Sequence, residues 1–163
     1  MATRKLVRGL LLSGMTCAAC APGNSPPDSA NAPEFAQRPA NAYEEAFARE
    51  DGVLPIRWGG WLKTSAAGTG AEPNADSVVK VNYRGSLTDG TEFDSSYKRG
   101  QPATFSLRSV VPCWTNGVPM MKVGGKAKFV CPSSAAYGDE GFPPLVPGGA
   151  TLVFEIELLD VVK

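Results

Sequence analysis

The strongest structural signals in this 163-residue chain are two nearby segments, Asn82-Tyr83-Arg84-Gly85 and Gly90-Thr91-Glu92-Phe93-Asp94-Ser95-Ser96. The first ends an alternation of apolar and polar residues, Val79-Lys80-Val81-Asn82-Tyr83, which predicts a half-buried strand. Asp89-Gly90, just before the second stretch, is a hairpin signal. We therefore expect the chain to turn at these residues and to return as a strand that contains Phe93.

Other short segments show the same alternation and extend the sheet. They are Trp61-Leu62-Lys63-Thr64, the pair Phe105 and Leu107, residues 126–131 with Ala127, Phe129 and Cys131 on one face, and residues 151–158. In the last segment Leu152, Phe154, Ile156 and Leu158 face one side, and Thr151, Glu155 and Glu157 face the other. A long loop from Pro132 to Gly149 separates the last two strands.

One segment of this region has a helical pattern, Val110 to Met121. Pro112 suits the first turn of a helix. Trp114, Gly117, Val118 and Met121 then fall at helical spacing and form one apolar stripe. Val123-Gly124-Gly125 would end the helix. The pattern as a whole predicts an α+β domain, in which an antiparallel sheet closes over a single helix.

Composition excludes several kinds of site. The chain has no histidine, which rules out His-dependent triads and His-ligated metals, and we expect neither a metal nor a cofactor. Lys and Arg are scattered and the formal charge is zero, so nothing favours nucleic-acid binding. Large aromatic residues and one carboxylate stand on separate short segments near glycines. An apolar cup of this kind suits a reaction that needs neither proton transfer nor bond cleavage.

The first residues have the pattern of a targeting segment. Arg4, Lys5 and Arg8 precede a short apolar run at residues 9–19. A run of this length is below the roughly 18–20 residues needed to cross a bilayer, so residues 1–19 are interpreted as a signal peptide.

Two processing sites compete at the end of this segment. Cys17-Ala18-Ala19-Cys20 resembles a bacterial lipobox in which Cys20 carries the lipid, although Cys17 stands where Leu is usual. Ala19-Cys20-Ala21 fits the A-x-A pattern of ordinary signal peptidase, although Pro22 would then follow the cut.

Two cysteines remain for the mature chain. In an oxidising compartment Cys113 and Cys131 are candidates for a disulfide. The alternative is a pair of buried free thiols, each packing as a small hydrophobic side chain.

Residues 20–59 are expected to be a tether, because residues 21–42 hold five prolines among Asn, Ser and Ala. Tyr43 to Glu50 could form a short helix within it. Glu44 and Glu45 are expected on a solvated face, since adjacent helical residues point apart. The globular domain is expected to cover residues 60–163.

The ordered motifs resemble those of FKBP-type peptidyl-prolyl isomerases. They are Val81-Asn82-Tyr83-Arg84-Gly85, Phe93-Asp94-Ser95-Ser96, Val110-Val111-Pro112-Cys113-Trp114, Ala136-Tyr137-Gly138 and Ala150-Thr151-Leu152-Val153-Phe154-Glu155. The resemblance covers about residues 60–163 and is closest to the exported bacterial branch. It implies a strongly curved antiparallel sheet of five or six strands around one short helix, with the pocket between them.

The resemblance also implies a set of site residues. The catalytic pocket would consist of Tyr83, Phe93, Asp94, Trp114, Tyr137 and Phe154, with Trp114 as its floor. Substrate would further contact Val110, Val111, Arg99, Phe142 and Val146. In this reading Arg99 steadies Asp94 or Tyr83, the Val111 N–H and the Tyr137 hydroxyl bind carbonyl groups, and Val146 lies on a mobile rim.

The expected partners follow from the same resemblance. They are proline-containing polypeptides and the macrolides tacrolimus and rapamycin. The protein is expected to be a periplasmic monomer whose lipid, attached to the outer membrane, is its only membrane contact. Assistance to the folding of exported proteins is the implied role. A module that binds proline peptides without turnover is the alternative, and a chaperone with a dimerisation arm has less support.

Three residues depart from the family pattern. Ala103 stands where many relatives carry an aromatic residue, which would open one side of the pocket. Phe142 stands where a polar residue or His is common, which would add an apolar rim. Cys113 replaces the small Gly that commonly precedes the Trp, and this fits the proposed disulfide.

Overall fold

The computed structural model of the chain describes residues 40–162. The signal segment 1–19, the lipidation candidate Cys20 and the proline-rich residues 21–39 lie outside the described residues. No helix within the described range is long and apolar enough to cross a bilayer.

Two α-helices and a seven-stranded antiparallel sheet make up this part of the chain. The helices are α1 (Ala42–Ala48) and α2 (Pro112–Gly117). The strands are β1 (Val53–Pro55), β2 (Trp61–Ala66), β3 (Val78–Leu87), β4 (Glu92–Ser95), β5 (Ala103–Ser106), β6 (Lys126–Cys131) and β7 (Leu152–Val162). Single 3₁₀ turns occupy Val118–Met120 and Ser133–Ala135.

The strands lie in the order β1-β2-β6-β7-β3-β4, and β5 also pairs with β3. Two strands pair with the edge of β3 that lies opposite β7. Strand β5 pairs along Val78–Val81 of β3, and β4 pairs along Arg84–Ser86. The α+β class, the antiparallel sheet and the short helix α2 agree with the sequence prediction. The sheet has seven strands where five or six were expected.

The inner face of the sheet, defined here as the face that packs against α2, holds the main core. On β3 the buried residues Val79, Val81 and Tyr83 alternate with more exposed ones, as predicted. On β7 Leu152, Phe154, Ile156 and Leu158 are also buried on this face, and Glu155 and Glu157 between them are more exposed, as predicted. Val153, between Leu152 and Phe154, is instead buried on the opposite face. A buried Leu, Val or Ile side chain contributes about 1.5–3 kcal/mol, so the inner face supplies most of the fold's stability.

Helix α2 is shorter than the sequence predicted. The apolar stripe is present, since Trp114, Gly117, Val118 and Met121 are all buried. The α-helical turns nevertheless end at Gly117, and a 3₁₀ turn follows. Pro119 explains the difference, because it has no N–H to donate to the carbonyl four residues earlier.

Residues that were expected in the tether belong to the folded unit. Helix α1 packs Phe47 on the outer face of the sheet, against Trp61, Val130 and Val153. Strand β1 pairs with β2, and Ile56 after it is fully buried in the main core. The proline-rich composition of residues 21–42 gives no indication of this folded segment, because the apolar residues that pack on the sheet begin only at Tyr43.

Glu44 is not on a solvated face, contrary to the expectation. It is fully buried, and its carboxylate accepts hydrogen bonds from the Thr151 hydroxyl at 2.6 Å and from the Ala40 N–H at 2.7 Å. The Asn41 side chain caps α1 by accepting the Glu44 N–H at 3.0 Å, and it donates to Thr151 Oγ1 at 2.6 Å. Glu45 is exposed and pairs with Arg49.

Candidate active site

A pocket of about 270 Å³ lies between α2 and the neighbouring part of the sheet. Its walls come from β3, β4, β5, the start of α2, the loop after β6, and β7. The lining residues are Tyr83, Phe93, Asp94, Phe105, Ser109, Val110, Val111, Trp114, Tyr137 and Phe154. The structure thus brings together all six residues that the sequence assigned to catalysis, together with Val110 and Val111.

Trp114 forms the floor, and three rings surround it. Its indole makes edge-to-face contacts with Tyr83, Phe105 and Phe154, at centroid distances of 5.4, 5.8 and 5.3 Å. Phe93 adds another such contact with Phe154 at 5.8 Å. Edge-to-face packing is the favoured arrangement of aromatic rings and holds each one in a single orientation. The floor of the pocket is therefore packed against three aromatic rings.

Gly85 on β3 is required for this arrangement of rings. A Cβ atom at this position would lie 2.7 Å from the Phe93 ring and 3.0 Å from the Phe154 ring. Any side chain here would push the two rings apart and displace the wall formed by β4. The glycine of the opening sequence motif is thus explained by packing in the pocket.

A hydrogen-bonded group of three polar side chains lines one wall. The Tyr83 hydroxyl donates to Asp94 Oδ2, and Arg99 donates to Asp94 Oδ1 and, at 2.7 Å, to the Tyr83 oxygen. Burial, and then the hydrogen bond to Asp94, raise the pKa of Tyr83 to about 12, while Arg99 opposes this shift. Tyr83 therefore stays protonated at neutral pH, and both Asp94 oxygens are occupied.

The Trp114 indole N–H on the floor of the pocket is buried without an acceptor within residues 40–162. Two further donors at the pocket also have no acceptor within this range. One is the Val111 N–H, at the residue that precedes α2. The other is the Tyr137 hydroxyl on the opposite loop. Burial, and then the charge of Asp94, raise the pKa of Tyr137, so its hydroxyl also keeps its proton. Both groups are able to donate to a carbonyl oxygen of a bound ligand.

The other predicted substrate contacts lie outside the pocket lining. Arg99 holds Tyr83 and Asp94 from behind, with its guanidinium carbon 5.3 Å from the Tyr83 ring centroid. Phe142 lies on the rim, stacked on Tyr137 at 5.5 Å. Val146 was expected on a mobile rim, but it is only 1% exposed and belongs to the main core. Its side chain anchors the loop instead of facing solvent.

Sequence reasoning missed Phe105 and Ser109 as lining residues. Phe105 was recognised only as part of a strand, and its place beside Trp114 depends on β5 pairing with β3, where Phe105 is opposite Val79. No local pattern encodes that pairing. Ala103 lies opposite Val81 on the same strand and is not among the residues that line the pocket.

A disulfide joins the floor of the pocket to the end of β6. It links Cys113, directly before Trp114, with Cys131, the last residue of β6, and the two Cα atoms are 5.9 Å apart. Both cysteines are fully buried. Gly60 lies against the bond, where a Cβ atom would be 3.1 Å from Cys113 Sγ and 2.8 Å from the Val130 carbonyl oxygen.

The chain is similar to proteins of one family. The sequence model of the FKBP-type peptidyl-prolyl cis-trans isomerases matches residues 70–159. The FKBP-type peptidyl-prolyl cis-trans isomerase FkpA of Aeromonas hydrophila is 48% identical over 127 residues, which are 78% of this chain and 47% of that protein.

Solved structures of two relatives share the fold. The crystal structure of FkpA from Escherichia coli has a TM-score of 0.70 at 48% identity, over 73% of this chain and 55% of that one. A peptidyl-prolyl cis-trans isomerase from Pseudomonas syringae pv. tomato has a TM-score of 0.70 at 38% identity, over 74% of this chain and 89% of that one. The chain spans about half the length of the curated FkpA relatives that it matches.

Proposed function

This chain belongs to the FKBP-type peptidyl-prolyl cis-trans isomerase family, and on that premise we propose that it catalyses rotation about X-Pro bonds in exported polypeptides. The observation that carries the proposal is the pocket lined by mutually packed aromatic rings. Trp114, buried and held by three rings, offers an apolar surface on which a proline ring can lie.

The pocket suits this reaction because rotation needs no chemical partner. The barrier of roughly 18–20 kcal/mol arises from amide resonance, which is lost when the C–N bond twists. The planar amide is more polar than the twisted one, so water stabilises the ground state and a dry aromatic surface favours the twisted form. A rate increase of about 10⁴ requires only about 5.5 kcal/mol of such preference.

The polar groups would then orient the substrate. The Val111 N–H and the Tyr137 hydroxyl are free to bind carbonyl oxygens on either side of the proline. Asp94 would not act as a base, since the reaction removes no proton and its two oxygens are held by Tyr83 and Arg99. Its role would be to fix the Tyr83 wall against which the proline packs.

The experiment is catalysed exchange of a tetrapeptide with one Ala-Pro bond, measured by two-dimensional NMR. Phe93→Ala should lower kcat/KM about tenfold or more, because it removes a ring from the pocket wall. Tyr97→Ala is the matched control, since Tyr97 is exposed and does not line the pocket. Tacrolimus should compete with the peptide.

Two results would decide against catalysis. Exchange at the spontaneous rate with wild-type protein would refute an isomerase. If calorimetry then showed the peptide bound, the chain would be a module that holds proline segments without turnover.

The proposed partners follow from the same pocket. They are proline-containing polypeptides, with tacrolimus and rapamycin as competing ligands. We propose that the protein acts as a monomer, because the prolines of residues 21–42 disfavour a long helix that could serve as a dimerisation arm. Sedimentation showing a tight dimer would contradict this.

Export and attachment are proposed from the first residues alone. Arg4, Lys5, Arg8 and the apolar run at residues 9–19 support a signal peptide, and Cys17-Ala18-Ala19-Cys20 supports a lipid on Cys20. The protein would then be periplasmic and held to the outer membrane by that lipid. Mass spectrometry of the mature N-terminus should show a diacylglyceryl-modified Cys20, and an unmodified terminus at Pro22 would show soluble processing instead.

A further inference from the structure

The disulfide joins the two segments that present hydrogen-bond donors to the pocket. Val111, whose N–H has no acceptor within residues 40–162, lies two residues before Cys113 at the start of α2. Tyr137, whose hydroxyl is the second such donor, lies six residues after Cys131 at the end of β6. The bond between the two cysteines is therefore the covalent connection between the two donor segments.

Hydrogen bonds fix the short segment between Cys131 and Tyr137. The Gly138 N–H donates to the Ser133 carbonyl at 2.8 Å, and the Ala136 N–H donates to the same carbonyl at 3.0 Å. These bonds close two successive turns around the tyrosine, so its backbone has little freedom to move by itself. The position of the Tyr137 hydroxyl therefore follows the position of Cys131.

Helix α2 is held to the sheet in different ways at its two ends. At its C-terminal end Gly117 packs so closely that a Cβ atom would lie 2.6 Å from the Phe129 ring on β6. At its N-terminal end the disulfide makes the connection, and within residues 40–162 no hydrogen bond joins residues 110–117 to residues 131–149. A helix of 6 residues has little stability of its own, so its first turn depends on such a tertiary restraint.

The bond is shielded from solvent by the turn that leads into β2. The Ile56 N–H closes this turn by donating to the Gly60 carbonyl at 2.9 Å. A Cβ atom on Gly60 would lie 3.1 Å from Cys113 Sγ and 3.5 Å from Pro132 Cδ, so the turn covers the bond closely. Both cysteines are fully buried. Because thiol–disulfide exchange requires access to a sulfur atom, the geometry favours a permanent restraint over an exchanging redox pair.

We propose that the Cys113–Cys131 disulfide is a positioning element of the proposed isomerase. It sets the Val111 N–H and the Tyr137 hydroxyl relative to each other, so that both bind carbonyl oxygens while the X-Pro bond between them twists. The inference rests on the proposed function, since it assigns a role within that reaction. A displacement of about 1 Å in a positioning group lowers rates strongly. The loss should fall on kcat, because the donors have to match the twisted form more closely than the planar one.

The test compares oxidised and reduced forms of the purified protein. Dithiothreitol supplies two electrons and two protons, so the S–S bond is replaced by two S–H groups and the reagent becomes a cyclic disulfide. Reduction is carried out in urea because the bond is buried, and the protein is then refolded with the reagent present. Non-reducing digestion and mass spectrometry establish the state of Cys113 and Cys131 in each sample.

Catalysed exchange of the Ala-Pro tetrapeptide gives kcat and KM for both forms. Reduction should lower kcat about fivefold and change KM by less than about twofold. Removal of the reagent and reoxidation should restore the original kcat. Cys113→Ala combined with Cys131→Ala should reproduce the reduced form without any reagent.

Tyr137→Phe distinguishes positioning from a general loss of stability. It keeps the ring and removes the hydroxyl donor, so the relative placement of two donors no longer matters. Reduction of this variant should lower kcat by less than about twofold. Phe93→Ala is the matched comparison, because Phe93 lies on β4, which pairs with β3 and contributes a ring instead of a donor. Reduction of Phe93→Ala should lower kcat by the full factor of about five.

Several outcomes would overturn the positioning role. These are equal kcat for the oxidised and reduced protein, the same loss of kcat in Tyr137→Phe as in Phe93→Ala, or free thiols at both cysteines in the oxidised sample. Failure of both the reduced protein and the double alanine variant to fold would assign the bond to folding instead.

The positioning role and the enzymatic activity can fail separately. Absence of catalysed exchange by the oxidised protein would refute the proposed function. The NMR signals of the Tyr137 ring would still decide on the disulfide, because reduction should shift them and leave those of the exposed Tyr97 unchanged. Tyr137 signals that stay in place after reduction would refute the positioning role, whatever the activity.

Discussion

Two neighbouring rows of residues run across the same strands, and they build two very different clusters. On the inner face, Leu62, Phe129, Phe154 and Gly85 are successive register partners across β2, β6, β7 and β3. On the outer face, Trp61, Val130 and Val153 are register partners across β2, β6 and β7, and each is adjacent in sequence to a residue of the inner row. The inner row belongs to the large core and borders the pocket. Within residues 40–162 the outer row packs against Phe47 and its neighbours on α1 and against Val53 on β1.

The two clusters also differ in how they use polar side chains. Near the outer cluster, Glu44, Asn41 and Thr151 bond to one another, and the Glu44 carboxylate is buried. In the pocket wall, Asp94 and Arg99 bond to each other while each side chain keeps 42% of its surface exposed. The outer polar side chains hold the start of α1 against Thr151, and the inner ones support a surface that a ligand can reach. Stability is thus shared by both faces, while function is expected on one.

The sharpest test of this division compares the two buried tryptophans. Trp114→Ala and Trp61→Ala should each lower the free energy of unfolding by about 3–5 kcal/mol, because both remove a large buried ring. Only Trp114→Ala should also abolish catalysed prolyl exchange, measured under conditions in which both variants remain folded. Loss of exchange in a folded Trp61→Ala would show that the outer cluster contributes to the pocket. It would contradict the assignment of function to the inner face alone.

A smaller effect should appear at high pH on the inner face alone. Because burial raises the pKa of Tyr83 from 10.0 to about 12, the unfolded chain releases this proton first. The free energy of unfolding should therefore fall by up to about 2–3 kcal/mol between pH 10 and 12 through this residue, and the contribution is complete below pH 10. Urea unfolding of wild type and Tyr83→Phe over this range measures it, since the variant lacks the proton. Parallel curves would contradict a buried, protonated Tyr83.

The smallest expected effect concerns the outer face. Asn41→Ala removes the cap of α1 and the hydrogen bond to Thr151, and it should cost about 1 kcal/mol of stability. Prolyl exchange should stay at the wild-type value, because α1 is separated from the pocket by the sheet. Denaturant unfolding combined with the NMR exchange assay checks both parts. A change in exchange rate at unchanged stability would show coupling between the faces.

The inner row was predictable from the sequence and the outer one was not. Alternation at Val79-Lys80-Val81-Asn82-Tyr83 and along β7 places side chains on faces, because the repeat of a strand is two residues. The inner face also carries the motifs of the family. The outer cluster depends on Phe47, which lies in a helix of only 7 residues after a proline-rich segment. A helix this short has little stability of its own, so its burial is decided by tertiary contacts.

The remaining differences have local causes. Pro119 ends the α-helix early, which the apolar stripe concealed because the following 3₁₀ turn keeps Val118 and Met121 buried. Glu44 is buried because Thr151, far along the chain, supplies a hydrogen bond that no local pattern indicates. Phe105 enters the pocket through the pairing of β5 with β3. Periodicity indicates which side chains are buried, but pairing between distant segments decides which of them meet.

The link between Cys113 and Cys131 bears on what happens when part of the molecule opens. It connects the start of α2 with the strand that leads into the Tyr137 loop, two segments separated by 18 positions in sequence. If α2 detaches from the sheet, its first turn stays within one bond of β6, and the floor can return without a long search through chain conformations. Local opening of α2 is therefore expected to be readily reversible as long as this bond is intact.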